Sequence, residues 1–237
     1  MAHPAKHLNC ENCESRGKGI FCDLEEHPLR EVGQHKVTNT YKKGQILFYQ
    51  GNPPFGLYCI NNGKIKVTKT GTDGKESIVR LAGGGDVLGH RSLFSNENYT
   101  ATATVMEDTT VCFLDKKYIF QAIENEPSIA LNIIRKLSRE MGSAESKNAA
   151  MFQKNVRERL AELFLSLMKS YGVKEGKRTR LDIKLTREEI ASMIGTASET
   201  VIRFITEFRD EGLIEQEGKT IYVINEEKLL EFANLNY

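Results

Sequence analysis

Pro127 divides this chain into two stretches of different hydrophobic period, and that switch limits the architectures open to it. Ahead of it, from about Val37, short β-rich runs occupy residues 45–50, 56–60, 64–69, 77–81, 101–105 and 110–114. Gly51-Asn52-Pro53-Pro54, Asn61-Asn62-Gly63, Asp73-Gly74 and Gly83-Gly84-Gly85-Asp86 cut them apart. Strands at such short spacing, with turn residues between, imply an antiparallel barrel or jelly roll. Asp73-Gly74 suits a tight hairpin, because both residues tolerate φ > 0.

Beyond Pro127 the period becomes helical. Ala130, Ile134, Leu137, Met141, Ala144, Asn148 and Met151 recur at alternating spacings of four and three, the heptad seam of a long helix that packs against a partner helix. A core helix lying on its own barrel gives the same pattern. The helix is about twice the usual length, and polar Asn148 at a seam position suits register-setting, so self-association is the expected role. Asn155-Val156-Arg157-Glu158 then fits a capping box that restarts the chain as a new helix, with Val156, Leu160, Leu163, Phe164 and Leu167 as its apolar stripe. The expected organisation is a Cys-bearing segment at 1–28 without clear periodicity, a barrel at 29–125, a dimerisation helix at 126–153 and a further domain at 154–237.

The last domain carries the sharpest motif. Thr186-Arg187-Glu188-Glu189 is a second capping box, opening a short helix with Ile190, Met193 and Ile194 inward. Gly195 supplies a left-handed stop, and a second helix from Ser198 to about Asp210 puts Val201, Ile205 and Phe208 on one side. With small Ala191 at the crossing, this is a helix-turn-helix. Glu199 and Arg203 share the outward face, flanked by Ser198 and Ile202. In a major groove, Arg donates two hydrogen bonds to guanine and Glu accepts from the cytosine amino group. Thr186 and Thr200 are placed for phosphate oxygens. Gly212-Leu213-Ile214-Glu215 and Gly218-Lys219-Thr220-Ile221-Tyr222-Val223 read as the hairpin wing of a winged helix. Two plainer readings of Glu199 stand beside this: a capping acid for Thr196, or an ion-pair partner of Arg203.

Charge sets a condition on any nucleic-acid partner. Thirty-three Lys plus Arg against 32 Asp plus Glu leave a formal charge of +1, so no global field exists to attract a polyanion. Residues 154–237 hold 14 basic and 15 acidic side chains, net −1. Lys174, Lys177, Arg178, Arg180, Lys184 and Arg187 face only Glu175 and Asp182, a local excess of +4. No segment approaches the ~18 apolar residues of a membrane helix and no signal-peptide pattern opens the chain, so a cytoplasmic location is expected. No nucleophile motif emerges, and the glycines at 83–85 lack the Lys and Ser/Thr of a phosphate-cradling loop. The chain reads as non-enzymatic.

Leu185-Thr186-Arg187-Glu188-Glu189-Ile190-Ala191, Gly195 and Ser198-Glu199-Thr200-Val201-Ile202-Arg203 resemble the helix-turn-helix of the cyclic-AMP receptor protein and fumarate–nitrate reduction regulator (CRP/FNR) family. The similarity extends to Gly212-Leu213-Ile214 and Gly218-Lys219-Thr220-Ile221. It also covers the barrel at Lys43-Gly44-Gln45, Gly51-Asn52, Leu57-Tyr58-Cys59-Ile60-Asn61-Asn62-Gly63-Lys64-Ile65-Lys66 and Gly85-Asp86-Val87-Leu88-Gly89. The resemblance implies an α+β homodimeric transcription regulator with a cyclic-nucleotide-binding-like sensor barrel, a dimerising helix and a C-terminal winged helix-turn-helix. Double-stranded DNA with a palindromic site and RNA polymerase are the implied partners. Glu199 and Arg203 match the family's base-reading pair; Lys219, in the wing, joins the expected DNA contacts.

Two signals are weighed for the barrel. Nucleotide-binding members need a Glu on the ribose and an Arg-Ser pair on the cyclic phosphate. Here His90 stands at the Glu position and Tyr99-Thr100-Ala101 where Arg-Ser-Ala would be, which disfavours cyclic AMP because the charge-assisted partner of the phosphate is missing. Arg91 is the one nearby cation that could compensate. Oxygen-sensing members carry three Cys ahead of the barrel, as Cys10, Cys13 and Cys22 are here, and a fourth in a segment similar to Thr109-Thr110-Val111-Cys112-Phe113-Leu114. The resemblance thus implies a [4Fe–4S] cluster on Cys10, Cys13, Cys22 and Cys112. A four-thiolate zinc site on the same residues is the alternative cofactor, and the eight residues between Cys13 and Cys22 depart from the usual spacing. Cys59 has no matching ligand position and reads as core. His3, His7, His27, His35 and His90 are scattered and read as surface residues, which leaves no heme site. The seam carries no charge, so dimerisation is expected with or without metal and any cluster tunes DNA affinity instead. A different class of reading is a metal or electron-transfer protein whose winged helix mediates protein contacts, and another is a small-molecule effector with inert cysteines.

Overall fold

The structure, a computed structural model, describes residues 3–4 and 9–234. The chain divides into two compact units, Met1–Gly142 and Ser143–Tyr237. His7 lies outside the described residues.

The first unit runs β1 (His3–Pro4), a single 3-10 turn (Arg16–Lys18), α1 (Glu26–His35), β2 (Val37–Tyr41), β3 (Ile46–Phe48), β4 (Gly56–Asn62), β5 (Lys64–Thr70) and β6 (Glu76–Gly83). It continues with β7 (Val87–Leu88), α2 (His90–Ser95), β8 (Thr102–Val105), β9 (Thr109–Asp115), α3 (Lys116–Asn125) and α4 (Pro127–Gln153), which crosses the unit boundary. The strands form two antiparallel sheets, ordered β1-β2-β9-β4-β7 and β3-β8-β5-β6. Period-two alternation gives each sheet an inner face. Ile60, Leu88 and Val111 of one meet Ile65, Val67, Ala82, Ala103 and Val105 of the other in a single apolar core. The outer face of the first sheet is covered by helices: Leu57, Val87 and Leu114 pack with Leu29, Val32, Ile119, Ile129 and Ile133.

All six expected strand segments are present, and the missed elements are short ones. Helix α1 begins at Glu26 inside the segment that shows no periodicity by sequence; Ile20 and Leu24 ahead of it are buried too. The Asp73-Gly74 hairpin is a longer turn than expected. Thr70 pairs with Glu76, leaving five residues between, with Gly71 N–H donating to Lys75 O at 2.9 Å and Lys75 N–H to the Asp73 carboxylate at 3.1 Å. The Asp73 side chain caps the loop from within, so the turn closes without the two-residue geometry.

Helix α4 is 27 residues long, matching the length read from its seam. Ile129, Asn132 and Ile133 are its buried positions. Of the seam residues, Ala130 and Leu137 are half-buried, while Ile134, Met141, Ala144, Asn148 and Met151 are exposed.

The second unit consists of the end of α4, α5 (Val156–Tyr171), β10 (Gly172–Glu175), β11 (Arg178–Leu181), α6 (Arg187–Ile194), α7 (Ser198–Asp210), β12 (Ile214–Glu217), β13 (Thr220–Val223) and α8 (Glu226–Phe232). Both capping boxes exist. Asn155 accepts from the Glu158 N–H and Glu158 answers to the Asn155 N–H; Thr186 and Glu189 do the same. Phe164 of α5 meets Phe208 of α7 edge-on at 6.3 Å, with Leu160, Ile190, Val201, Leu213 and Leu229 buried in the same unit. The hairpin β12–β13 is joined by β11 and β10 in a four-stranded sheet, ordered β10-β11-β13-β12.

Gly63 makes the tightest turn of the barrel, between β4 and β5, at φ +91° with an added Cβ meeting Thr109 Oγ1 at 2.2 Å. Gly74 has φ +79° and open space. Gly63→Ala is expected to cost more than ~2 kcal/mol and Gly74→Ala only about 1, since the second carries backbone strain alone. Urea unfolding of the two full-length variants measures the difference.

Candidate nucleic-acid interface and thiol cavity

In the second unit, Gly195 at φ +64° ends α6 and its N–H reaches back to Ala191 O, so α7 begins after Ala197, which caps it without a side-chain bond. Thr196 is therefore not the cap, and Glu199 is not a capping acid. Val201, Ile205 and Phe208 are buried, which fixes the opposite face of α7 outward. Glu199 and Arg203 are both exposed on it, and Ile202 beside them is 52% exposed. They do not pair with one another. Arg203 instead lies 3.9 Å from Glu207, one turn further from Glu199, with its guanidinium 4.9 Å from the Phe204 ring. Ser198 and Thr200 are half-buried at the helix start. Thr186 is exposed at the start of α6, its hydroxyl accepting from Glu189 N–H at 3.1 Å. Lys219 is exposed in the turn between β12 and β13.

The local excess of positive charge is smaller than its count. Arg178 bonds Glu215 and Glu217 at 2.9 and 2.7 Å and lies 3.9 Å over Tyr222; Arg180 bonds Glu175 and Asp182 at 2.7 and 2.6 Å. Arg187 donates to Gln216 at 2.7 Å. These arginines hold the wing sheet together. Lys174, Lys177 and Lys184 are exposed and, among the described residues, have no ion-pair partner.

In the first unit, a cavity of about 70 Å³ opens between the N-terminal segment and the outer face of β4 and β9. Cys10, Cys13, Cys59 and Cys112 all line it. Cys59 and Cys112 are direct cross-strand partners, so their side chains leave the same face of the sheet. Asn61 donates to Cys13 Sγ at 3.2 Å, and Thr38 Oγ1 lies 3.6 Å from Cys112 Sγ. Lys36, buried at 7% exposure, lines the same cavity. Burial raises the Cys10 thiol pKa, opposed by the Lys36 ammonium, and burial pushes Cys59 up strongly. Cys22 does not line this cavity. Its sulfur donates to Asp23 at 3.4 Å and sits 3.8 Å from the Asn132 amide nitrogen, and burial raises its pKa. Among the described residues, no three His, Cys, Asp or Glu side chains stand together as a ready-made metal site.

Sequence reasoning missed a second polar cluster in this unit. His90 is a core residue at 2% exposure, not a surface one, because its Nε2 is bonded to Glu140 of α4 at 3.0 Å. Arg91 bonds the same carboxylate at 3.0 Å and Arg80 of β6 ion-pairs with it at 2.7 Å. Arg80 also reaches Asp86 at 3.0 Å, and Lys136 of α4 reaches Asp86 at 2.9 Å. Of the remaining described histidines, His27 and His35 are exposed, the second stacked on Tyr118 at 4.2 Å.

Comparison with known proteins is consistent across the chain. A cyclic nucleotide-binding domain model matches residues 38–126 and a Crp-like helix-turn-helix domain model matches residues 158–232. The chain is 28% identical over 211 residues to the CRP-like cAMP-activated global transcriptional regulator of Mycobacterium tuberculosis, covering 89% of this chain and 94% of that one. It is 27% identical over 192 residues to the transcriptional activator protein anr of Pseudomonas aeruginosa, covering 81% and 78%. The solved structure of FixK2 from Bradyrhizobium japonicum superposes with a TM-score of 0.75 at 21% identity, over 85% of this chain and 99% of that one.

The carboxylate at the centre of the polar cluster gives a pH prediction. Burial opposes ionisation of Glu140, but the His90 hydrogen bond and the charges of Arg80, His90 and Arg91 outweigh it and leave its pKa at about 2, below the ordinary 4.5. A depressed carboxylate stabilises the folded state above its unfolded pKa and loses that contribution as pH falls. Glu140→Gln is expected to lower stability by roughly 2–3 kcal/mol near pH 6. The gap to the unsubstituted protein should shrink between about pH 4.5 and 2. Denaturant midpoints at a series of pH values measure it; a gap independent of pH contradicts the assignment.

Proposed function

The chain belongs to the CRP/FNR family of DNA-binding transcription regulators, and from that premise we propose that it is a homodimer reading a palindromic site, with a thiol-lined barrel cavity as its sensor. The observation that carries the DNA reading is the outward face of α7, where Glu199 and Arg203 stand exposed and unpaired to each other while the wing arginines are held by carboxylates. A planar guanidinium with free N–H groups can bond guanine O6 and N7 together, and a carboxylate one turn away can accept from a cytosine amino group. Ile202, exposed between them, offers an apolar contact for a thymine methyl. Ser198, Thr200, Thr186, Lys219 and the unpaired Lys184 are the further DNA contacts of this reading, to phosphates, which set register without reading sequence.

Self-association follows from α4. Ile134 and Met141 are 56% and 65% exposed on one seam, a cost in water that a second copy of the helix removes. Two reading heads related by a two-fold axis require a palindromic site. RNA polymerase is the partner through which such a regulator acts, and no catalytic role is assigned.

For the sensor, the resemblance implies a [4Fe–4S] cluster, with four-thiolate zinc as the alternative. The donor chemistry fits either. Four thiols share one cavity with a buried ammonium, that of Lys36, and an amide N–H points at one of the sulfurs. Cys10, Cys13 and Cys112 would be ligands; the resemblance names Cys22 as the fourth. A bound cluster supplies an oxygen- or redox-labile link between the N-terminal segment and the barrel. The chain's own residues orient the sulfurs: β4 and β9 fix the cross-strand pair, and the Cys10–Cys13 turn closes over it, Cys13 N–H donating to Cys10 O at 3.3 Å. Cyclic AMP is disfavoured because His90, at the position of the ribose carboxylate, is already committed to Glu140.

Arg203→Ala is expected to cost ~1–3 kcal/mol at the base pair it reads and to relax specificity there, measured by titrating duplexes changed at single positions. Uniform weakening on every duplex would make Arg203 a phosphate contact instead. Met141→Glu is expected to convert the dimer to monomer in sedimentation equilibrium, because it buries like charges across the axis.

A further inference from the structure

We propose that Cys59, not Cys22, is the fourth sulfur of the site in the barrel cavity, and that Lys36 is the counter-charge built in for it. The inference rests on reading that cavity as a metal–thiolate site.

Topology makes the first case. Cys59 and Cys112 are opposed on adjacent antiparallel strands, so the sheet presents two sulfurs side by side with no loop to arrange. Cys10 and Cys13, three residues apart and joined by a backbone turn bond, line the opposite wall of the same cavity. Two sulfurs from a sheet and two from one turn make a four-sulfur donor set once the turn closes on a bound ion or cluster. Cys22 lies beyond Ile20 and Phe21, which do line the cavity, and its own sulfur is directed to Asp23 and Asn132, neither of which lines it.

Charge makes the second case independently. Four thiolates around Zn²⁺ or around a doubly charged cubane core leave a net charge of −2, which needs compensation when it is buried. The sequence supplies it at Lys36. Residues 36 and 38 share a face along the start of β2, and Thr38 pairs with Cys112, so alternation aims Lys36 and Thr38 at the sulfur side while Val37 is exposed. Lys36 is buried, lines the thiol cavity and, among the described residues, has no carboxylate ion-pair partner. An ammonium in that position is unexplained if Cys59 and its neighbours are only small apolar fillers. It is explained if they bind as thiolates. Asn61 N–H on Cys13 and the Thr38 hydroxyl near Cys112 are the further donors that metal-bound sulfurs accept.

The test uses the full chain as the unsubstituted protein and as Cys22→Ser, Cys59→Ser, Cys59→Ala and Lys36→Met. Each is purified without oxygen and loaded either with ferrous iron and sulfide or with zinc alone. Iron, sulfide and zinc per chain and the visible spectrum are read, with circular dichroism as the check on folding. Cys22→Ser is expected to keep the metal content of the unsubstituted protein, and both Cys59 variants to lose most of it. Lys36→Met is expected to keep the ligands but weaken retention about 10-fold or more against a chelator, as outer-shell changes do. A measurement needing no variant runs alongside: alkylation followed by mass spectrometry should label Cys22 equally in the loaded and metal-free chain, while Cys10 and Cys13 become protected. Loss of metal from Cys22→Ser, or protection of Cys22 on loading, overturns the assignment. An unsubstituted protein that takes up neither iron–sulfide nor zinc overturns the metal reading of the cavity itself, which is a different failure.

Discussion

The carboxylate of Glu140 is the point on which the first unit is organised. It draws Arg80 from β6 and His90 and Arg91 from the start of α2 onto one turn of α4, with Lys136 and Asp86 completing the cluster. The apolar contacts of Ile129 and Ile133 hold α4 against the sheet, but hydrophobic burial is non-directional and would tolerate a helix slid or rotated by a fraction of a turn. A half-buried carboxylate bonded to two arginines and a histidine does not tolerate it, because losing one partner leaves charge desolvated and uncompensated. The network therefore fixes the register of α4 on the barrel. With it goes the direction in which Ile134 and Met141 are displayed.

The same interaction explains how one barrel architecture can serve different signals. The cyclic-AMP-activated relative is 28% identical to this chain over 211 residues. Here the positions that the resemblance assigns to ribose and phosphate recognition hold His90 and Tyr99, both buried, and His90 is bonded to Glu140. An internal carboxylate thus stands among the cations that an anionic effector would need. On the proposed reading, a nucleotide entering there would have to displace Glu140 and repay its pairing with three partners. The outer face of the first sheet, where the thiols gather, holds the cavity with open chemistry.

What the sequence makes legible is whatever repeats locally. The length of α4, the two capping boxes and the Val201/Ile205/Phe208 stripe each depend on one helix alone, and each is found where periodicity and caps put it. Helices α1 and α3, of ten residues each, and the two-residue strand β7 are too short for a period to rise above composition. Charge pairing is harder still, since it depends on side chains far apart along the chain. His90 and Glu140 are separated by 50 positions, and Arg178 meets its two glutamates 37 and 39 positions on. A count of basic residues therefore overstates what β11 offers to DNA. The thiols show both sides of this: Cys10 and Cys13 are a visible local pair, whereas the opposition of Cys59 and Cys112 exists only once β4 and β9 are paired.

The neutrality of the reading unit has a physical consequence that links its helix to the seam. Phosphate neutralisation supplies essentially all non-specific affinity for DNA and much of the specific affinity. A unit of net charge −1, with Arg178 and Arg180 committed to carboxylates, draws little from that source. Its discrimination has to come from base edges, where one bidentate contact is worth ~1–3 kcal/mol. A single copy reading a few base pairs is then weak everywhere, though selective. In the proposed dimer, joining two copies through α4 would make the second half-site contact intramolecular, and the effective concentration gained would multiply affinity without adding non-specific attraction. In the proposed dimer the apolar seam of α4 would supply what a basic surface supplies in other DNA-binding proteins, and only on sites that present both halves at the right spacing.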